Sequence, residues 1–117
     1  MKKKNFKGIS TVTLHSASTE NDNFSHTTPI YATSTFTFDS TDEGMERFKS
    51  ADKTRIYSRW GNPTFTAAQD VIAALEAFGL KNEKGEQLEL KALLHASGQA
   101  AMSTLFLNTL SAGDTLV

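Results

Sequence analysis

The sequence predicts an α/β fold, and three observations lead there. "KALLHA" (91–96) is a short apolar run bounded by polar chain, which reads as a buried strand. "SGQAAMSTLFLNTLSAG" (97–113) follows at once and is apolar nearly all round, which reads as a buried helix. "DTLV" (114–117) then has the look of a strand beginning. Strand, Ser-Gly turn, helix and strand make a βαβ unit, cut at its last element.

The elements before it follow in order. Residues 1 to about 38 are rich in Ser, Thr, Asn, Asp and His, with no helical period. Thr35, Phe36, Thr37 and Phe38 alternate, as extended chain laid over a surface would. Such an arm buries too little by itself to offset its ordering entropy, so it must pack on something or stay disordered. Ser40 with Glu43 resembles a capping box, and "TDEGMERFKS" predicts a short helix with Met45 and Phe48 on one side. Gly44 weakens that helix by roughly 1 kcal/mol relative to alanine.

Asn62-Pro63 is a stronger start, since proline at the first helical position gives up an N–H that has no partner there anyway. Ala68, Val71, Ile72, Leu75 and Phe78 recur at helical spacing and Gly79 is a natural stop, which predicts a helix over 64–78. Residues 80–91 form a charged loop or hairpin tip around Gly85. The two parallel strands that this chain supplies need neighbours and covering helices, so the core is incomplete and the chain reads as truncated.

Composition narrows the function. The 117 residues carry 12 basic and 13 acidic side chains, so no basic excess points to nucleic acid or an anionic membrane. No cysteine is present, which excludes disulfides and thiolate metal sites. His15, His26 and His95 lack metal-ligand spacing, so no metal site is expected. The lysine-rich start has no apolar stretch after it, and no apolar run is long enough to span a bilayer. A cytoplasmic protein is expected.

Two places carry chemistry. Ser97, Gly98 and Gln99 stand at a strand-to-helix junction, where free N–H groups and the helix dipole favour an anion. The same Ser-Gly pair also suits plain capping. Spaced glycines and a following Lys-Ser/Thr are absent, so this is no Walker loop. Tyr57 and Arg59 lie in "YSRWGNPT". If the chain is extended there, both project from one face, and a phenol and a guanidinium converge on one anion. The competing arrangement is Arg59 stacked on Trp60 or Tyr57 as a cation–π contact.

"YSRWGNPT" resembles the Tyr-x-Arg-x-x-Asn-Pro-Thr signature of the pyridoxal-phosphate enzymes of cysteine and methionine metabolism. "SGQAAMST" resembles the Ser-Gly-x-Ala-Ala block of that family, and "PIYATSTF" a segment upstream. The three blocks stand in the family's order, and the resemblance covers about residues 11 to 117. It implies the beginning of an aspartate-aminotransferase-like, fold type I large domain over residues 56–117. Residues 1–55 would be an extended N-terminal arm with one short helix.

The resemblance also implies roles. The backbone amides of Gly98 and Gln99 would hold the phosphate of pyridoxal 5'-phosphate. Tyr57 and Arg59 would hold the same phosphate from a neighbouring subunit. Gln99 replaces a frequent Met, which matters little for a backbone contact. The implied assembly is a homo-oligomer, a dimer with shared sites paired into a tetramer. The implied substrates are small sulfur amino acids of the cystathionine, homocysteine or O-acetylhomoserine type.

The family's Schiff-base lysine would lie beyond residue 117, so no catalytic residue is expected within this chain. Lys49, Lys53, Lys81, Lys84 and Lys91 are not set in apolar stretches that would keep an amine neutral and nucleophilic. Two functions of different class follow. One is the N-terminal part of a lyase or transferase of sulfur amino-acid metabolism. The other is a non-catalytic anion-binding or assembly module.

Overall fold

A computed structural model describes residues 6–17, 24–50 and 55–117. Its helices are α1 (Ile9–His15), α2 (Thr41–Lys49), α3 (Pro63–Glu76) and α4 (Gly98–Thr109). Lys53 and the stretches 1–5 and 18–23 of the arm lie outside the described residues.

The strongest local signals set the helix starts. Asn62 caps α3, its side-chain oxygen accepting from the Thr64 N–H at 2.9 Å, and Pro63 opens the helix. The helix runs one residue earlier than expected and stops two residues sooner. The chain then turns through Gly79, whose φ of +77° suits glycine. Ser40 caps α2 by accepting from Glu43 N–H, and the Glu43 carboxylate accepts in return from Asp39 N–H. The box is therefore closed one residue further back than the usual pattern. Gly44 faces the Phe38 ring so closely that a Cβ there would lie 3.3 Å from it.

The arm is partly helical, which corrects the expectation of extended chain with one short helix. Val12 is buried and α1 packs against α3. No period marks α1 in the sequence, because the packing that holds it comes from α3, about fifty residues away. Further along, the arm is extended as expected. Thr35 pairs antiparallel with Tyr57, through Phe36 N–H to Ile56 C=O and Ser58 N–H to Ser34 C=O. Ile56 beneath this pairing is buried.

The βαβ unit is not formed. Residues 91–96 and 114–117 are irregular, and among the described residues there is no strand longer than an isolated bridge. A strand exists only where a neighbour takes up its backbone groups, and neither segment has one among the described residues. For the same reason α4 has no buried residue, although its composition predicts a buried helix; Leu107 is 84% exposed. The hairpin tip is present. Lys81 pairs with Gln87, Gly85 turns at φ +78°, and Asn82 accepts from both Lys84 and Glu86 N–H.

Candidate functional site

The start of α4 is arranged by Ser97. Its backbone is extended, and its hydroxyl accepts from Ala100 N–H at 3.1 Å. Its carbonyl accepts from Ala101 N–H at 3.1 Å. A helix begins with four N–H groups that lack an intrahelical partner, and Ser97 can satisfy only part of that set. The N–H groups of Gly98 and Gln99 have no partner among the described residues. Both residues are exposed, and no atom lies within 4 Å of where a Gly98 Cβ would stand. No acidic residue sits in the first turn to compete for these donors. The result is an open pair of amides at the positive end of a twelve-residue helix, which suits an oxyanion.

Tyr57 and Arg59 come together in another way than extended chain would give. Residues 57–61 turn, with Trp60 and Gly61 N–H both donating to Tyr57 C=O. The Arg59 guanidinium carbon lies over the Tyr57 ring, 5.1 Å from its centroid. The cation–π arrangement weighed against a convergent pair is therefore the one adopted. Trp60 meets the Tyr57 ring edge-on at 6.1 Å. A contact with a ring face occupies no hydrogen-bond acceptor, so the N–H donors of the guanidinium stay available to an anion. Among the described residues those donors make no hydrogen bond or ion pair.

No hydrogen bond or ring contact joins residues 57–60 to residues 97–99. The two halves of the candidate site are each assembled, yet not linked to one another. His95, expected at the end of a buried strand, is half-buried in irregular chain. Among the described residues no three His, Asp or Glu side chains gather as a metal would require, and no helix is long and apolar enough to cross a membrane.

Reading the sequence missed what surrounds Tyr57. Asn62 is more than a cap. Its amide nitrogen donates to Tyr31 C=O at 2.9 Å and to Ser58 Oγ at 3.1 Å. Thr64 Oγ donates to Pro29 C=O and accepts from Tyr31 N–H. The one available signal was an Asn where Ser or Asp would cap about as well.

Residues 10–117 match the family described as Cys/Met metabolism PLP-dependent enzyme. The chain is 38% identical over 110 residues to L-methionine gamma-lyase of Fusobacterium nucleatum, a match covering 94% of this chain and 25% of that protein. It is 33% identical over 111 residues to O-acetyl-L-homoserine sulfhydrylase of Corynebacterium glutamicum, covering 94% of this chain and 23% of that protein. It is 32% identical over 110 residues to homocysteine/cysteine synthase of Saccharomyces cerevisiae, covering 92% and 22%. The chain thus spans about a quarter of the length of these relatives. With 108 of its 117 residues inside the match, from residue 10 to residue 117, the chain belongs to the pyridoxal-phosphate-dependent enzymes of cysteine and methionine metabolism.

Proposed function

We propose that this chain supplies the N-terminal part of a pyridoxal-phosphate-dependent lyase or transferase acting on sulfur amino acids in the cytoplasm, and that its own task is to grip the cofactor phosphate. The observation that carries this reading is the pair of unpartnered amides at Gly98 and Gln99. They fit a phosphate: the donors are exposed, the glycine leaves room for close approach, and no acidic residue of the first turn opposes the charge.

Gly98 and Gln99 N–H would each donate to a phosphate oxygen, with Ser97 fixing their direction. Arg59 would add a charge-assisted contact through its in-plane donors, and Tyr57 a hydroxyl donor. When bound, the cofactor supplies an electron sink for a substrate carbanion. Gly98, Gln99, Tyr57 and Arg59 would hold its phosphate end and leave the reacting end free. Residues 56–117 would open the cofactor-binding domain, and residues 1–55 would form the arm laid against it. Tyr57 and Arg59 would serve the cup of a second copy, in a dimer of shared sites that pairs into a tetramer.

Calorimetric titration tests the reading. Pyridoxine 5'-phosphate and pyridoxine lack the aldehyde that labels lysines at random, so their comparison isolates the phosphate. The chain should bind the phosphorylated compound at least ten-fold more tightly, since one charge-assisted bond is worth about 1.5–3 kcal/mol. Equal affinity for the two would remove the reading.

A further inference from the structure

The turn that presents Tyr57 and Arg59 is held by a polar knot, and the knot is saturated. Asn62 is 3% exposed and is the one buried polar side chain among the described residues. Both of its amide protons are spent, on Tyr31 C=O and Ser58 Oγ, and its oxygen accepts from Thr64 N–H. Ser58 Oγ in turn donates to Thr33 C=O, while Ser58 N–H donates to Ser34 C=O. Thr64 Oγ closes the far end on Pro29 C=O and Tyr31 N–H. Arm residues 29–34 are thereby tied to both ends of the turn.

Capping alone does not call for this chemistry. Ser or Asp at position 62 would accept from Thr64 N–H about as well. Only an amide also donates twice, and here both donations leave the helix: one goes to the arm and one to the residue between Tyr57 and Arg59. Neither Asn62 nor Ser58 has an inward-facing donor left for a ligand. Any effect of theirs on an anion must pass through the backbone they hold.

We infer that Ser58 and Asn62 are positioning residues for the Tyr57–Arg59 pair, fixing the turn so that the guanidinium stays on the Tyr57 ring with its in-plane donors presented to a phosphate. The inference rests on the proposed phosphate role of Arg59. Ser58 clamps the peptide between the two residues. Asn62 clamps Ser58. The Tyr57 ring, 5.1 Å from the Arg59 guanidinium carbon, carries that order to the charge. The arm is part of the device, because four of its carbonyls, from Pro29, Tyr31, Thr33 and Ser34, are the anchor points.

The test is a double-mutant cycle on the full chain, read as the ratio of pyridoxine to pyridoxine 5'-phosphate dissociation constants. Ser58→Ala should lower that ratio about five-fold, the size of one hydrogen bond, and leave pyridoxine affinity unchanged. Ser58→Thr, which keeps the hydroxyl, should restore it. Asn62→Asp keeps the cap but loses both donations, and should lower the ratio at least as far with the α3 helical signal retained. In an Arg59→Ala background, Ser58→Ala should have no further effect, since the group it positions is gone. A Ser58→Ala effect equal for both ligands, or one that persists without Arg59, would overturn the inference and mark the knot as structural support only. An unchanged ratio in Ser58→Ala and Asn62→Asp, with Arg59→Ala lowering it, would overturn the inference while the phosphate role of Arg59 stands. An unchanged ratio in Arg59→Ala itself would remove that role, and the inference with it.

Discussion

Arg59 rests on Tyr57: the guanidinium carbon stands 5.1 Å from the centre of the phenol ring, two residues back in a turn. The contact orients the charge without consuming its donors. Arg59→Ala should therefore raise the dissociation constant of pyridoxine 5'-phosphate about ten-fold or more, for a loss of about 1.5–3 kcal/mol. Arg59→Lys should recover only part, because an ammonium neither stacks as a plane nor donates as a fork. Calorimetry on both variants checks this, with far-UV circular dichroism to show that the helices are intact.

Gly98 separates stability from binding. Its Cβ position is open, so Gly98→Ala is sterically free in the chain and should leave unfolding unchanged or slightly delayed. On the proposed phosphate role, the added methyl would crowd an anion at the amides. Phosphate affinity should fall while thermal stability does not. A fall in both would show that Gly98 serves the helix and not a ligand.

Mixing two damaged chains tests the sharing of sites. In a dimer of Arg59→Ala with Gly98→Ala, one cup carries both lesions and the other carries none, provided Arg59 reaches across. Full-affinity sites should then reappear in the mixture, up to about a quarter of the total. A site built within one chain gives none.

Glu43 gives α2 an acid-sensitive cap. The Asp39 N–H that it accepts, followed by the Arg47 side chain at 2.5 Å, holds its carboxyl below the ordinary value of 4.5. A depressed carboxylate pKa contributes stability that is fully present above the unfolded value and lost as pH falls through the folded one. The α2 cap should therefore loosen only below about pH 4.5. Nuclear magnetic resonance of the Asp39 amide against pH checks this, and Glu43→Gln should flatten the response.

Val12 fixes α1. Its side chain is buried, and α1 packs against α3. Val12→Ala should cost about 1–2.5 kcal/mol locally. Amide exchange should speed up through residues 9–15 while α3 keeps its protection.

What the sequence revealed was local. Asn62-Pro63, Ser40 with Glu43, and Ser97-Gly98 each carry their own hydrogen-bonding instruction, and α2, α3 and α4 start where those residues place them. Gly79 and Gly85 mark turns because their φ is positive. Elements that depend on distant chain were illegible. Helix α1 exists through Val12 and α3, and the bend at Tyr57 through pairing with Thr35. Residues 91–96 have the composition of a strand but no strand partner among the described residues. The same division runs through the candidate site. Gly98 and Gln99 follow from the Ser97 turn, whereas the stacking of Arg59 and the second and third bonds of Asn62 depend on a fold that brings residues 29–36 to 56–64.

The phosphate cup is tested most directly by amide resonances during titration with pyridoxine 5'-phosphate. The N–H signals of Gly98 and Gln99 should shift downfield in proportion to binding, as donors to an oxyanion do. Those of Leu105 and Leu107, further along the same helix, should stay in place, and pyridoxine at the same concentration should move neither pair. Unmoved Gly98 and Gln99 signals at saturating pyridoxine 5'-phosphate, or equal shifts with pyridoxine, would contradict a phosphate site at the start of α4.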